Sequence, residues 1–211
     1  FVVIGMTKIY LVRHGQTTFN AERRIQGQME SELTEEGETQ AILLGKKLSS
    51  VAFDALYVSP MRRTRRTSEL LTKGFGLDPI YRDELKEILM GDWQGWLVAD
   101  LETTYPQELD VFWHHPESFA RPTCETYEQV RNRAASLMEE IVRKHPNQTV
   151  LVVTHGALLK TLYTYFMYQQ IHEIANAPHP HSTGLSIVEK KDGLWTVLEW
   201  DNYDHLDTDG R

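Results

Sequence analysis

The chain has 211 residues, 41% hydrophobic and 25% charged, enough for one sizeable core. Its net charge of −8 argues against a nucleic-acid binder, and its longest apolar runs, such as Val150 to Val153, are far too short to span a bilayer. The one cysteine, Cys124, excludes an intrachain disulfide and points to a reducing, cytoplasmic setting.

Phe1 to Gly5 read as an added or upstream leader ahead of Met6, without the basic flank and long apolar stretch of a secretory signal. Lys8 to Val12 is a β-rich run that ends at Arg13-His14-Gly15. Thr34 is placed to cap a helix with Ala41, Leu44 and Leu48 on one face. Asp54 to Val58 reads as a second strand, after which Ser59-Pro60 breaks into a helix from about Met61 to Leu71, with the proline in its first turn. Pro79 to Arg82 is a short strand candidate, and Glu84 to Thr123 reads as short helices and loops over the sheet.

Thr126 and Gln129 have the spacing of a capping box, and Val130, Ala134, Leu137, Met138 and Ile141 keep helical spacing behind it. Thr149 to Val153 is a buried strand ending at Thr154-His155-Gly156, and Leu159, Leu162, Tyr163 and Phe166 follow at helical spacing. Leu185 to Val188 and Leu194 to Trp200 flank Asp192-Gly193, a hairpin signal. The alternation implies one α/β domain over residues 6–211, with a mostly parallel sheet between helical layers.

Ligands of open α/β sheets bind beyond the carboxyl ends of the strands. Three strands here end at Arg13-His14-Gly15, at Ser59 followed by Arg62-Arg63, and at His155-Gly156. If they are parallel neighbours, two histidines and at least two arginines converge, and glycine after each histidine allows a sharp turn. Such a site is cationic and rich in donors, as a phosphate dianion requires.

Leu11-Val12-Arg13-His14-Gly15-Gln16-Thr17-Thr18-Phe19-Asn20 resembles the R-H-G-x-T-x-x-N signature of the histidine phosphatase superfamily, phosphoglycerate mutase-like branch. Gln26-Gly27, the run from Ser59 to Thr67, Leu85-Lys86-Glu87-Ile88 with Gly91-Asp92-Trp93-Gln94-Gly95, and Val152 to Gly156 match further family segments in order. The resemblance implies a three-layer α/β/α sandwich, hydrolysis of small phosphate esters, no cofactor and no metal. By position it makes His14 the phosphoryl-accepting nucleophile and Glu87 the proton donor, with Arg13, Arg63 and His155 on the phosphoryl oxygens. Gly15, Thr17 and Asn20 would orient the transferring group, Gln26 and Gly27 would line the substrate side, and Gly156 would lie beside the phosphate.

On that assignment, Arg13 and Arg63 disfavour a second positive charge on His14, and a backbone carbonyl is expected to fix its far ring nitrogen. Glu87 needs partial desolvation, which the tryptophan-rich neighbourhood would supply. Each role has a plainer competitor: Glu87 as a surface carboxylate, Asn20 as a cap, and Arg62, Arg65 and Arg66 as ion-paired surface residues. Trp93, Trp96, Phe112 and Trp113 read either as an apolar wall for the substrate or as core, and Cys124 as a packed thiol. Nine histidines raise a metal reading through His114-His115 and His179-Pro180-His181, but no compact set keeps zinc-ligand spacing. The short stretch between Glu87 and Glu125 favours a phosphatase over a mutase, whose phosphohistidine must be shielded from water. A third alternative is an idle phosphate-binding module. The physiological substrate and oligomeric state are not readable from the sequence.

Overall fold

Side chains that alternate along three adjacent parallel strands decide the layering. The computed structural model describes residues 5–207, so the expected leader, apart from Gly5, lies outside the described residues. The elements in chain order are β1 (Thr7–Arg13), α1 (Thr18–Glu22), α2 (Glu35–Leu48), β2 (Ala55–Val58), α3 (Arg62–Leu71) and β3 (Pro79–Tyr81). An excursion follows with α4 (Val98–Thr104) and α5 (Pro106–His114), and then α6 (Tyr127–Lys144), β4 (Thr149–Thr154), α7 (Gly156–Phe166), β5 (Leu185–Lys191) and β6 (Leu194–Asn202).

The strands form one sheet in the order β3-β2-β4-β1-β5-β6. β1, β2, β3 and β4 run parallel, and the β5–β6 hairpin adds antiparallel to β1. Ile9, Leu11, Ala55, Tyr57, Val150 and Val152 face a core filled by α6, α7 and the excursion. Val12, Leu56, Val58, Leu151 and Val153 face the other way, onto Leu44 and Leu48 of α2 and Leu71 of α3. The period of two in β1, β2 and β4 thus buries both faces, as a sheet covered on both sides requires. The result is the expected α/β/α sandwich.

Local signals act as read. Thr34 Oγ1 accepts the Gly37 N–H, and Thr126 and Gln129 close a reciprocal capping box. Asp192 and Gly193 both take positive φ, as a two-residue hairpin turn needs. Pro60 is a correction: Met61 is the N-cap of α3, so the proline precedes the helix and only directs the chain into it. Trp93 and Phe112 are core, Trp96 is half-buried against that core, and Trp113 is exposed. Core packing therefore accounts for most of the aromatic segment.

Two glycines let α2 pass directly beneath the loop after β1. A Cβ on Gly37 would run into the Gln16 backbone, and one on Gly15 into the Gly37 carbonyl. Gly37→Ala should therefore destabilise the fold by about 1–3 kcal/mol, because the clash outweighs the gain in helix propensity. Urea unfolding checks this, and a variant as stable as the parent would contradict the close approach.

Candidate active site

Register brings the three strand ends level. β4 lies between β1 and β2, with Arg13 opposite Thr154 and Val58 opposite Val153. The ladder continues one step further, through His14 N to Thr154 O at 3.1 Å and Ser59 N to Val153 O at 3.0 Å. His14, His155 and Ser59 are thus the first residues past three adjacent parallel strands. The two imidazoles meet edge to face, with centroids 5.3 Å apart.

His14 is buried, and its Nδ1–H donates to its neighbour's carbonyl, Gly15 O, at 2.7 Å. That bond fixes the tautomer and leaves Nε2 with its lone pair. Burial pushes the His14 pKa well below the usual 6.5, with Arg63 and Arg13 adding to it. The arginines act in the expected direction, and loss of water is the larger cause. His155 shifts the same way, first through burial and then through Arg63. Ser59 Oγ lies 2.7 Å from His155 Nε2, and Nδ1 is buried without a partner.

Both guanidinium groups hang on carbonyls rather than carboxylates. Arg13 Nη1 donates to Pro180 O at 2.6 Å. Arg63, 1% exposed, donates to Met29 O at 2.8 Å and Gly27 O at 2.5 Å, and burial lowers its pKa to about 10. Gly27 has φ +53, so a glycine suits the bend that aims its carbonyl at Arg63. Gly156 makes room for Arg13, whose Nε would lie 3.2 Å from an added Cβ. The Nε atoms of Arg13 and Arg63 are buried and unpartnered, like His155 Nδ1.

Glu87 is half-buried and grips the start of α7. Its carboxylate accepts the N–H groups of Ala157 and Leu158, each at 3.0 Å, and of Ile88 at 2.9 Å. The first turn of α7, rather than an indole, is what this carboxyl hydrogen-bonds; Trp93 packs on Tyr105 and Phe119. Of the four clustered arginines only Arg63 is buried. Arg62 pairs with Glu32, Arg66 with Glu38, and Arg65 lies over the Tyr81 ring.

Other expected contacts are differently employed. The Gly15 N–H donates to Thr67 Oγ1 at 3.0 Å, Gln16 N–H to Gln40 Oε1 at 3.0 Å, and Thr17 N–H to Asn20 Oδ1 at 3.0 Å. The backbone around Gly15 therefore braces the loop and has no N–H left for a phosphate. Asn20 and Thr17 form a capping box at α1, and Gln26 Oε1 accepts from Thr17 and Ser31. The amide oxygens of Asn20 and Gln26 point inward, while their NH2 groups bond no protein atom among the described residues. No three His, Cys, Asp or Glu residues gather as a metal site among the described residues. His114 instead pairs with Asp110, and His181 with Asp201.

The profile of the histidine phosphatase superfamily (branch 1) matches residues 9–203. The chain belongs to that superfamily. It is 31% identical over 208 residues, 97% of this chain and 85% of the relative, to a metal-independent phosphoserine phosphatase of Arabidopsis thaliana. A probable phosphoglycerate mutase, GpmB of Cronobacter sakazakii, is 33% identical over 168 residues, covering 74% of this chain and 73% of the relative. Among solved structures, Bacillus stearothermophilus YhfR superposes with a TM-score of 0.91 at 37% identity, covering 95% of this chain and 99% of that one.

In this member of the superfamily, two supports of the site had no reading of their own in the sequence. Thr67 carries Gly15, and its place at the end of the matched Ser59–Thr67 segment is the signal that could have found it. Thr183 is buried at φ 56, a genuine outlier for a β-branched residue, and its N–H bridges Arg13 O at 3.0 Å and His14 O at 3.2 Å. Strain of this kind costs about 1–3 kcal/mol and persists where surrounding contacts enforce it.

The histidine shifts set the acid limb of stability. His14 and His155 stay neutral well below 6.5, and His179 and His205 are lowered to about 4, each mainly by burial. The unfolded chain therefore binds more protons below 6.5, and stability falls as pH drops from there through about 4. Urea midpoints should decrease across that window, less steeply in His14→Asn. A midpoint that rises on acidification would contradict the burial of neutral imidazoles.

Proposed function

We propose that this enzyme hydrolyses small phosphate monoesters through a covalent phosphohistidine on His14. The observation that carries the reading is the group of buried nitrogens without acceptors: Arg13 Nε, Arg63 Nε and His155 Nδ1. An unsatisfied buried donor costs about 1–3 kcal/mol, so three in one corner favour an arriving anion with several oxygens. With Ser59 Oγ–H donating to Nε2, His155 Nδ1–H is turned to the phosphoryl group.

Neutral His14 attacks phosphorus through Nε2 as the bond to the ester oxygen breaks. Negative charge spreads over the phosphoryl oxygens, which the guanidinium forks and His155 stabilise without reorganising. Glu87 gives its proton to the departing oxygen, so that an alcohol leaves instead of an alkoxide. Water then attacks the phosphohistidine, Glu87 takes its proton, the N–P bond breaks, and His14 returns to the neutral form. No metal enters this scheme, in keeping with the name of the Arabidopsis relative. That name also makes phosphoserine the first physiological ester to try. The mutase name among the relatives supports a second reading, phosphoryl transfer between two positions of one substrate. The short segment between Glu87 and Glu125 leaves little chain to enclose a reorienting intermediate, and hydrolysis is the reading preferred.

With p-nitrophenyl phosphate, EDTA should leave the rate unchanged and His14→Ala should abolish turnover. Arg63→Gln should lower kcat roughly a hundredfold, the usual effect of about 3 kcal/mol when one transition-state donor is lost. Phosphoglycerates should not interconvert in a coupled assay. Turnover that survives His14→Ala would defeat the mechanism, and efficient interconversion would install the mutase.

A further inference from the structure

Residues 86–90, which carry Glu87, have no helix or strand of their own to satisfy their backbone. Arg133 of α6 supplies what is missing. Its Nη1 donates to Glu84 O at 2.8 Å and Lys86 O at 2.6 Å, and Nη2 donates to Glu87 O at 3.1 Å. The remaining N–H groups go to Glu125, from Nε to Oε2 at 3.0 Å and from Nη2 to Oε1 at 2.9 Å. All five donors of the guanidinium are thus occupied, and the pair is largely enclosed, with each side chain 19% exposed.

Glu125 holds the same segment from the other side. Its Oε1 accepts the Leu89 N–H at 2.8 Å, and its own N–H donates to Leu89 O at 2.9 Å. Thr154 Oγ1 takes Leu85 O at 2.7 Å, so each carbonyl from residue 84 to 87 has a donor. The direction in which Glu87 leaves the backbone is fixed within this frame, and its carboxylate closes onto the first turn of α7.

We infer that Arg133, locked to Glu125, is a positioning residue for proton transfer by Glu87. The inference rests on the proposed donor role of Glu87. A general acid must stand within hydrogen-bond reach of the departing oxygen, and small misplacements cost much of its benefit. Lysine cannot replace the fork, because a point charge cannot serve three carbonyls and a carboxylate in one plane.

Leaving-group basicity separates this role from a purely structural one. A nitrophenolate leaves readily without a proton, whereas a simple alkoxide depends on one. The 211-residue protein and its Glu87→Gln, Arg133→Met, Arg133→Lys and Glu125→Gln variants are compared on p-nitrophenyl phosphate and glycerol phosphate. Arg133→Met should lose roughly tenfold to a hundredfold more kcat/KM, which reports transfer to His14 and not the shared hydrolysis of the phosphohistidine, on the alkyl ester than on the aryl ester. Arg133→Lys should share that selectivity, and Glu87→Gln should show it more strongly. Adding Arg133→Met to Glu87→Gln should bring no further selectivity. If near-UV circular dichroism finds Arg133→Met unfolded, Glu125→Gln carries the test, since its amide oxygen still accepts the Leu89 N–H. Equal losses on both esters from the Arg133 and Glu125 variants, with Glu87→Gln selective, would overturn the positioning role. Equal losses from Glu87→Gln itself would instead remove the donor role beneath it.

Discussion

Two guanidinium groups and two imidazoles occupy one buried corner of this protein, and their removal from water, with the charge of the arginines added, shapes everything around them. Arg13 and Arg63 are held by carbonyl dipoles from Pro180, Met29 and Gly27, which orient the cations without cancelling their charge. Away from water, and further under that field, both histidines are held neutral well below their usual pKa. The corner is thus stable as two fixed cations beside two neutral rings, with donor nitrogens left over. On the proposed reading, a tetrahedral anion would satisfy those nitrogens and neutralise the excess charge together, and that coincidence is what would link the architecture to phosphoryl chemistry.

Much of this was legible because it is written in short periods. Strands that end in His-Gly or Ser-Pro, with apolar alternation before them, could be read as neighbours. The sheet indeed sets β4 between β1 and β2. Caps at Thr34 and Thr126 and the turn at Asp192-Gly193 were equally local, since each depends on residues within one turn of chain. The choice of Arg63 among four arginines was not local. Periodicity alone left it open, and only the matched family segment separated the one buried side chain from three solvent-facing ones.

What escaped the sequence is what depends on distant partners. The Gly15 N–H was expected to face the substrate, but Thr67, 52 residues away, takes it. Arg133 sits beside an apolar stripe on α6 and looks like any helix-flank cation until its carbonyl acceptors are seen. Thr183 gave no warning of a left-handed backbone, because nothing in Ser182-Thr183-Gly184 marks which residue must bend. Such residues support those to which the proposed mechanism gives a part. They hold the loop that carries His14, the backbone of Arg13 and the segment that carries Glu87.

The central claim is that His14 Nε2 is the atom that takes the phosphoryl group. Rapid alkaline quench during turnover of a good ester, followed by mass spectrometry of the digested protein, tests it most directly. Phosphate should be found on the peptide carrying His14 and be absent from that carrying His155. Steady turnover with no phosphorylated histidine, or with the label on His155, would contradict the account.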